Sequence, residues 1–173
     1  MRRANCIQAV VATLLVCSLA GKTLADTTVY LVRHAEKAVG GRDPELSAEG
    51  AKRAAELARV LRSAGIDECF ATQFKRTRLT VEPVAKSIGK EVQVEKAGTE
   101  KRLIIKIRNE LDNQQVLIAG HSNTVPLMLK HLGIHNPPKL GESDYDDLFI
   151  VTVSSAGLTA YQHLHYGAEN PKE

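Results

Sequence analysis

Tryptophan is absent, methionine occurs twice, and aromatic residues make up 4% of the 173-residue sequence. No aromatic-rich basic patch is present, so the chain lacks the stacking platform of a single-strand nucleic-acid binder. No internal repeat or low-complexity tract appears, which excludes solenoid and linker-type architectures. Cysteine is scarce, with three in all, and Cys6 and Cys17 fall in the first 25 residues. Only Cys69 remains after them, so the rest of the chain cannot close an internal disulfide. Cys69 itself is expected to be a small buried hydrophobe rather than a nucleophile.

The first segment reads as a secretory leader. Arg2 and Arg3 form a short basic start, Ile7 to Ala20 an apolar stretch, and Thr23-Leu24-Ala25 a small-residue cleavage site before Asp26. The apolar stretch is short for a membrane-spanning helix. An uncleaved anchor is the alternative, and a lipoprotein signal fits less well because Val16 precedes Cys17. The expected domains are therefore a signal peptide, 1–25, and one globular domain, 26–173. The expected location is the periplasm or the exterior, with no stable membrane insertion after cleavage. Removing Arg2, Arg3 and Lys22 lowers the Lys+Arg count from 23 to 20, against 20 acidic residues. The basic balance thus belongs to the leader, and the neutral domain has no charge-driven affinity for nucleic acid. Its 148 residues suffice for one hydrophobic core.

What is present is an alternation of strands and helices. Val29 to Val32 is an apolar run suited to a central strand, and it leads directly into Arg33-His34-Ala35-Glu36-Lys37. Ser47 is a candidate N-cap for a helix from Ala51 to Ser63, followed by Gly65. Ile66–Thr72, Glu91–Val94 and Gln115–Gly120 read as further strands. Helices are expected from Arg76 to Ile88, from Thr99 or Glu100 to Asp112, and from Val125 to Leu132. Pro83 predicts a kink or a late start in the first of these. Leu148–Val153 and Leu158–Leu164 read as a terminal hairpin, with a frayed polar tail after Tyr166. Such alternation specifies right-handed βαβ units. The expected fold is a three-layer α/β/α sandwich with a mainly parallel sheet and a C-terminal β-hairpin at its edge.

Strand order makes a site. Arg33-His34 ends the first strand, Arg76 lies just past the second, and His121 ends the fourth. In a parallel sheet all of these stand on one rim, where ligands bind. Two arginine forks suit phosphate oxygens, and a neutral imidazole is a competent nucleophile toward phosphorus. Ser122-Asn123-Thr124 opens a helix, whose free N–H groups favour an anion. No grouped carboxylates suggest Mg²⁺. The pairs His131/His135 and His163/His165 have no evident cysteine or acidic support, so neither metal nor cofactor is expected. Lys52, Arg53, Arg59 and Arg62 read as a solvated helix face, and Glu142 to Asp147 as a solvated acidic loop that alternatively selects cationic substrate neighbours.

These motifs carry a resemblance. Leu31-Val32-Arg33-His34-Ala35-Glu36-Lys37, Leu46-Ser47-Ala48-Glu49-Gly50, Arg76-Thr77-Arg78-Leu79-Thr80 and Gly120-His121-Ser122-Asn123-Thr124 resemble, in order, the motifs of the histidine phosphatase superfamily (phosphoglycerate-mutase-like, branch 1). The resemblance implies that His34 is the phosphorylated nucleophile, that Arg33, Arg76 and His121 form the phosphate pocket with Ser122 beside them, and that Arg76 rather than Arg78 is the ligand. The family's acidic proton donor follows the third strand, where Glu95 is the positional candidate and Glu36 and Glu100 are alternatives. The short segment there leaves no room for a capping insertion. The implied activity is metal-independent phosphomonoester hydrolysis on a small phosphorylated substrate or a phosphopeptide. A phosphohistidine-protein phosphatase and an inactive phosphate-binding module are the alternative readings. The substrate and oligomeric state are not specified.

Overall fold

A computed structural model describes residues 26–154 and 156–170. The leader call, 1–25, lies outside these residues. Six strands form one sheet in the order β3-β2-β4-β1-β5-β6. They are β1 (Thr27–Arg33), β2 (Glu68–Thr72), β3 (Val92–Glu95), β4 (Gln115–Gly120), β5 (Asp147–Ser154) and β6 (Gly157–His165). The first four are parallel, β5 runs antiparallel to β1, and β6 antiparallel to β5. The helices are α1 (Ala48–Leu61), α2 (Lys75–Ser87), α3 (Glu100–Glu110) and α4 (Thr124–Leu132). The expected three-layer α/β fold with an edge hairpin is the fold observed.

Period-two alternation splits the sheet into two buried faces. Val29 and Leu31 of β1, with Val116 and Ile118 of β4, pack on α3 and α4 through Ile104, Ile107, Val125 and Leu129. Val32, Leu117 and Ala119 face the other way, onto Leu57 of α1 and Val81 and Val84 of α2. The apolar runs of β1 and β4 are continuous because both faces are covered. Cys69 is among the buried residues of the second face, and burial pushes its thiol up to about 12. That is the state of an inert core thiol.

Local chemistry sets the element ends. The Ser47 hydroxyl accepts from the Gly50 N–H at 3.1 Å, so α1 begins at Ala48, three residues before the expected start. Gly50 is required by proximity: a Cβ there would lie 2.1 Å from the Glu36 carbonyl oxygen. The Phe74 cap position of α2 makes no side-chain cap bond of its own. Asp43, from the Gly40–Pro44 loop, supplies one by accepting from the Lys75 N–H at 3.0 Å.

Three expectations are corrected. α2 starts at Lys75 and runs through Pro83 to Ser87, so the start is not late. Burial of Val81, Val84 and Ala85 around the proline offsets a penalty of about 3 kcal/mol. Arg53 is not on a solvated face: it is 5% exposed and donates to both carboxylate oxygens of Glu36 and to the Tyr166 carbonyl. The tail is tied down through residue 170, where the Asn170 side-chain oxygen accepts from the Tyr145 and Asp146 N–H groups.

Candidate active site

The chain leaves β1 toward one face of the sheet and β4 toward the other, which opens a crevice between their carboxyl ends. Arg33 pairs with Gly120 in register, and the His34 N–H extends the ladder to the Gly120 carbonyl at 2.9 Å. His34 and His121 therefore emerge side by side, with ring centroids 5.4 Å apart. Gly120 also lets α4 approach, since a Cβ there would meet Thr124, Val125 and Met128 at 3.0 Å or less. α4 consequently starts directly behind the pocket. The pocket, about 550 Å³, is lined by Arg33, His34, Arg76, His121, Ser122, Glu100 and Glu142, among others.

His34 is 4% exposed. Its Nδ1 lies 2.8 Å from the Ala35 carbonyl, which only accepts, so Nδ1 carries the proton and Nε2 keeps its lone pair. Burial pulls its pKa down to about 3, and the nearby Arg33, His121 and Arg76 charges act in the same direction against the Ala35 hydrogen bond. The imidazole is thus neutral across the physiological range. Thr80 fixes the next peptide: its hydroxyl accepts from the Ala35 N–H at 2.9 Å and donates to the Arg76 carbonyl at 2.7 Å. The Arg-x-x-x-Thr spacing thereby ties the loop after His34 to the helix that carries Arg76.

His121 has a directed network. Burial, followed by Arg76 and Arg33, lowers its pKa to about 4. Arg76 Nη2 lies 3.4 Å from His121 Nδ1, and a guanidinium only donates, so Nδ1 is the acceptor. His121 Nε2 then donates to Thr72 Oγ1 at 3.0 Å. Thr72 donates in turn to Thr77 Oγ1 at 2.8 Å, and Thr77 donates to the Phe74 carbonyl at 2.8 Å.

Arg33 is 2% exposed. Its Nη1 donates to the Gly141 and Asp144 carbonyls, its guanidinium lies 4.3 Å over the Tyr145 ring, and Nη2 is 3.6 Å from Glu142. Arg76 rests on the Phe74 ring and lies 3.9 Å from Asp43. Among the described residues, the buried Nε atoms of Arg33 and Arg76 have no hydrogen-bond partner. Unmet guanidinium donors beside two neutral imidazoles suit a tetrahedral dianion. Arg78 is exposed and does not line this pocket.

The carboxylate candidates separate. Glu95 ends β3 but lies outside the pocket lining, engaged by Arg102 at 3.1 Å and Lys106 at 4.0 Å. Glu36 is turned away and bound by Arg53. Glu100 lines the pocket, and its charge reaches His121. Ser122 also lines it, with its hydroxyl 3.5 Å from Glu142. Glu142, in a loop that reads from sequence as solvated or as selecting cationic substrate neighbours, also borders the pocket. The 135–146 loop instead wraps Arg33 by its backbone, and no residue-type pattern signals carbonyl contacts of that kind. His163 and His165 are not without acidic support, because Asp147 stands across the strand pair from them.

Comparison with known proteins adds to this picture. Residues 29–103 match the family model described as histidine phosphatase superfamily (branch 1), the same likeness that the motifs carry. The fold resembles the protein histidine phosphatase SixA complexed with tungstate, at a TM-score of 0.67 and 18% identity over 80% of this chain and 96% of that one. It also resembles a mycobacterial glucosyl-3-phosphoglycerate phosphatase (TM-score 0.64, 13% identity, 83% and 100% covered). A third is a phosphoserine phosphatase from Entamoeba histolytica (TM-score 0.59, 14% identity, 78% and 98% covered). No protein in the curated collection matches.

Proposed function

We propose that this chain, whose residues 29–103 match the branch 1 histidine phosphatases, is a phosphatase that hydrolyses phosphomonoesters through a phosphohistidine on His34. One observation carries the mechanism. His34 is a neutral imidazole with Nδ1 tied to the Ala35 carbonyl, and it stands in a pocket walled by Arg33, Arg76 and His121.

The Nε2 lone pair attacks phosphorus, the bond to the leaving oxygen breaks, and the phosphoryl group is held on His34. Arg33 and Arg76 neutralise the charge spread over the equatorial oxygens, and His121 holds one of them. The leaving oxygen takes a proton from a pocket carboxyl, for which Glu100 and Glu142 are the groups in place. Such donation contributes about 10²–10⁴-fold. Water then attacks the phosphoimidazole, surrenders a proton to that carboxylate, and releases phosphate with His34 neutral again. No step requires a metal ion at this pocket.

The β3–α3 connection is only Lys96 to Thr99, so nothing there roofs the site. An open pocket admits a phosphate carried on a peptide or protein as well as a small ester. This favours, as second reading, a phosphohistidine-protein phosphatase, whose imidazole leaving group depends less on a strong acid. Export through the 1–25 leader belongs to the same proposal, and an intact mass beginning at Asp26 would mark it.

The test is hydrolysis of p-nitrophenyl phosphate and of a phosphohistidine peptide in EDTA, with acid-quench trapping of ³²P-labelled protein. Turnover that survives chelation, with an acid-labile, alkali-stable label absent from His34→Ala, is expected. Label persisting in His34→Ala would refute the nucleophile. Phosphate binding without turnover of either substrate would leave a binding module.

A further inference from the structure

We infer that Asp147, His163 and His165 form a binding site for an imidazole-preferring divalent transition-metal ion, of the Zn²⁺ class, on the β5–β6 hairpin and separate from the phosphate pocket. The sheet register builds it. Asp147 pairs directly with His165, and Phe149 pairs with His163. Residues two apart on a strand share a face, so all three ligands project from the same side of the hairpin. Their candidate ligand atoms all lie within 4.8 Å of one another. Asp147 Oδ1 is 2.6 Å from His163 Nε2 and 3.8 Å from His165 Nδ1. Ligands at about 2.0–2.2 Å from one ion stand roughly 3–3.6 Å apart, so small side-chain rotations close the set.

The surroundings favour a cation. Asp146 adds a second carboxylate, 3.3 Å from His165 Nδ1, and Asn170 Nδ2 donates to it at 2.5 Å. Asp146 and Asp147 are buried, whereas the two imidazoles are exposed. Water can therefore complete the coordination from the solvent side. The Phe149 ring packs against His163 with centroids 4.4 Å apart and restricts its rotation. Two imidazoles with a carboxylate select Zn²⁺, Co²⁺, Ni²⁺ or Cu²⁺ over Mg²⁺ and Ca²⁺. Val32 pairs with Leu148, so Asp147 stands beside the end of β1, at the foot of the loop that wraps Arg33. A bound ion would pin that foot without touching the reacting atoms.

The test uses the untagged protein, stripped with EDTA and exchanged into metal-free buffer. Co²⁺ and Zn²⁺ are titrated by absorption and calorimetry, with Mg²⁺ as control. One equivalent of Co²⁺ should bind with d–d bands of low-coordinate geometry, be displaced by Zn²⁺, and be indifferent to Mg²⁺. His163→Gln retains a side-chain donor toward Asp147 but is a poor ligand; with circular dichroism unchanged, it should weaken binding at least tenfold. His34→Asn should leave binding intact. Equal Co²⁺ affinity in wild type and His163→Gln would overturn the site and leave only a cross-strand hydrogen bond. Loss of binding in His34→Asn with retention in His163→Gln would overturn it by placing the ion in the phosphate pocket.

Discussion

Replacing Thr72 by valine tests whether the hydroxyl chain behind His121 sets which of its nitrogens faces the phosphate with a proton. Without ligand, Arg76 occupies Nδ1 and the proton sits on Nε2, toward Thr72. When phosphate draws Arg76 to itself, Nδ1 must become the donor. That requires Thr72 to donate to Nε2, and Thr77 to swing its hydroxyl from the Phe74 carbonyl, 2.8 Å away, to Thr72 Oγ1, also 2.8 Å away. A threonine hydroxyl serves either direction by rotation, whereas valine serves neither. His121 is 8% exposed and Thr72 9%, so the orphaned Nε2 finds little water. Leaving one buried donor or acceptor unpaired costs about 1–3 kcal/mol. If that cost falls on the transition state, kcat/KM for p-nitrophenyl phosphate drops about 5- to 150-fold at pH 7. Thr72→Ser should stay within about threefold of wild type by the same rule. The valine defect should persist as the pH approaches 4, the value to which His121 is pulled, because imidazolium still carries an Nε2–H that valine cannot accept. Thr72→Val within twofold of wild type at pH 7, or a serine variant as impaired as valine, would refute the relay.

Arg76→Ala should lower kcat/KM by about 10²–10³-fold, the scale of losing a transition-state donor, while exposed Arg78→Ala changes it little; the reverse order in steady-state kinetics would put the α2 motif out of register. His34 titrates near 3 when folded and near 6.5 when unfolded, so the unfolded chain binds more protons as pH falls through 6.5 and native stability drops toward 3. His34→Asn removes this proton uptake, and urea unfolding in phosphate-free buffer should show it losing about 2 kcal/mol less than wild type between about pH 7 and 5; parallel slopes would contradict the shift. Gly50→Ala places a Cβ 2.1 Å from the backbone oxygen of Glu36, which cannot swing aside, and should cost about 1–3 kcal/mol in denaturant unfolding as well as displacing the loop after His34.

What the sequence makes legible is what repeats along a strand or caps a helix. The runs Val29–Val32 and Val116–Gly120 are apolar at every position because helices cover both faces, so they read as central strands without further information. Placing them parallel puts Arg33-His34 and His121 on one rim, and the 5.4 Å between the two rings is the consequence. Ser47 is legible for the same reason, since its bond to the Gly50 N–H is local. The unread features share a different property: each is a contact across a large sequence separation between groups with no periodic signature. Arg53 looks like one more cation on an amphipathic helix, and only the fold brings Glu36 and the Tyr166 carbonyl to it. Asp43 reads as a turn residue, yet it caps a helix 32 positions away. Glu95 stands where the resemblance implies an acid, but Arg102 and Lys106 lie one turn apart on the neighbouring helix and draw it off. Glu142 has no motif, and it reaches the pocket because carbonyls at Gly141 and Asp144 clasp Arg33. The distinction bears on the chemistry. The proposed nucleophile and phosphate ligands, His34, Arg33, Arg76 and His121, sit at strand ends and a helix start, where position follows from pattern. The two carboxylates proposed as proton donors are Glu100, at the first turn of α3, and Glu142, on a long loop, where selection can change the leaving group without disturbing the sheet. Substrate preference in this chain should therefore follow changes at the 96–100 and 135–146 segments, with the Arg33–His34–His121 geometry held constant.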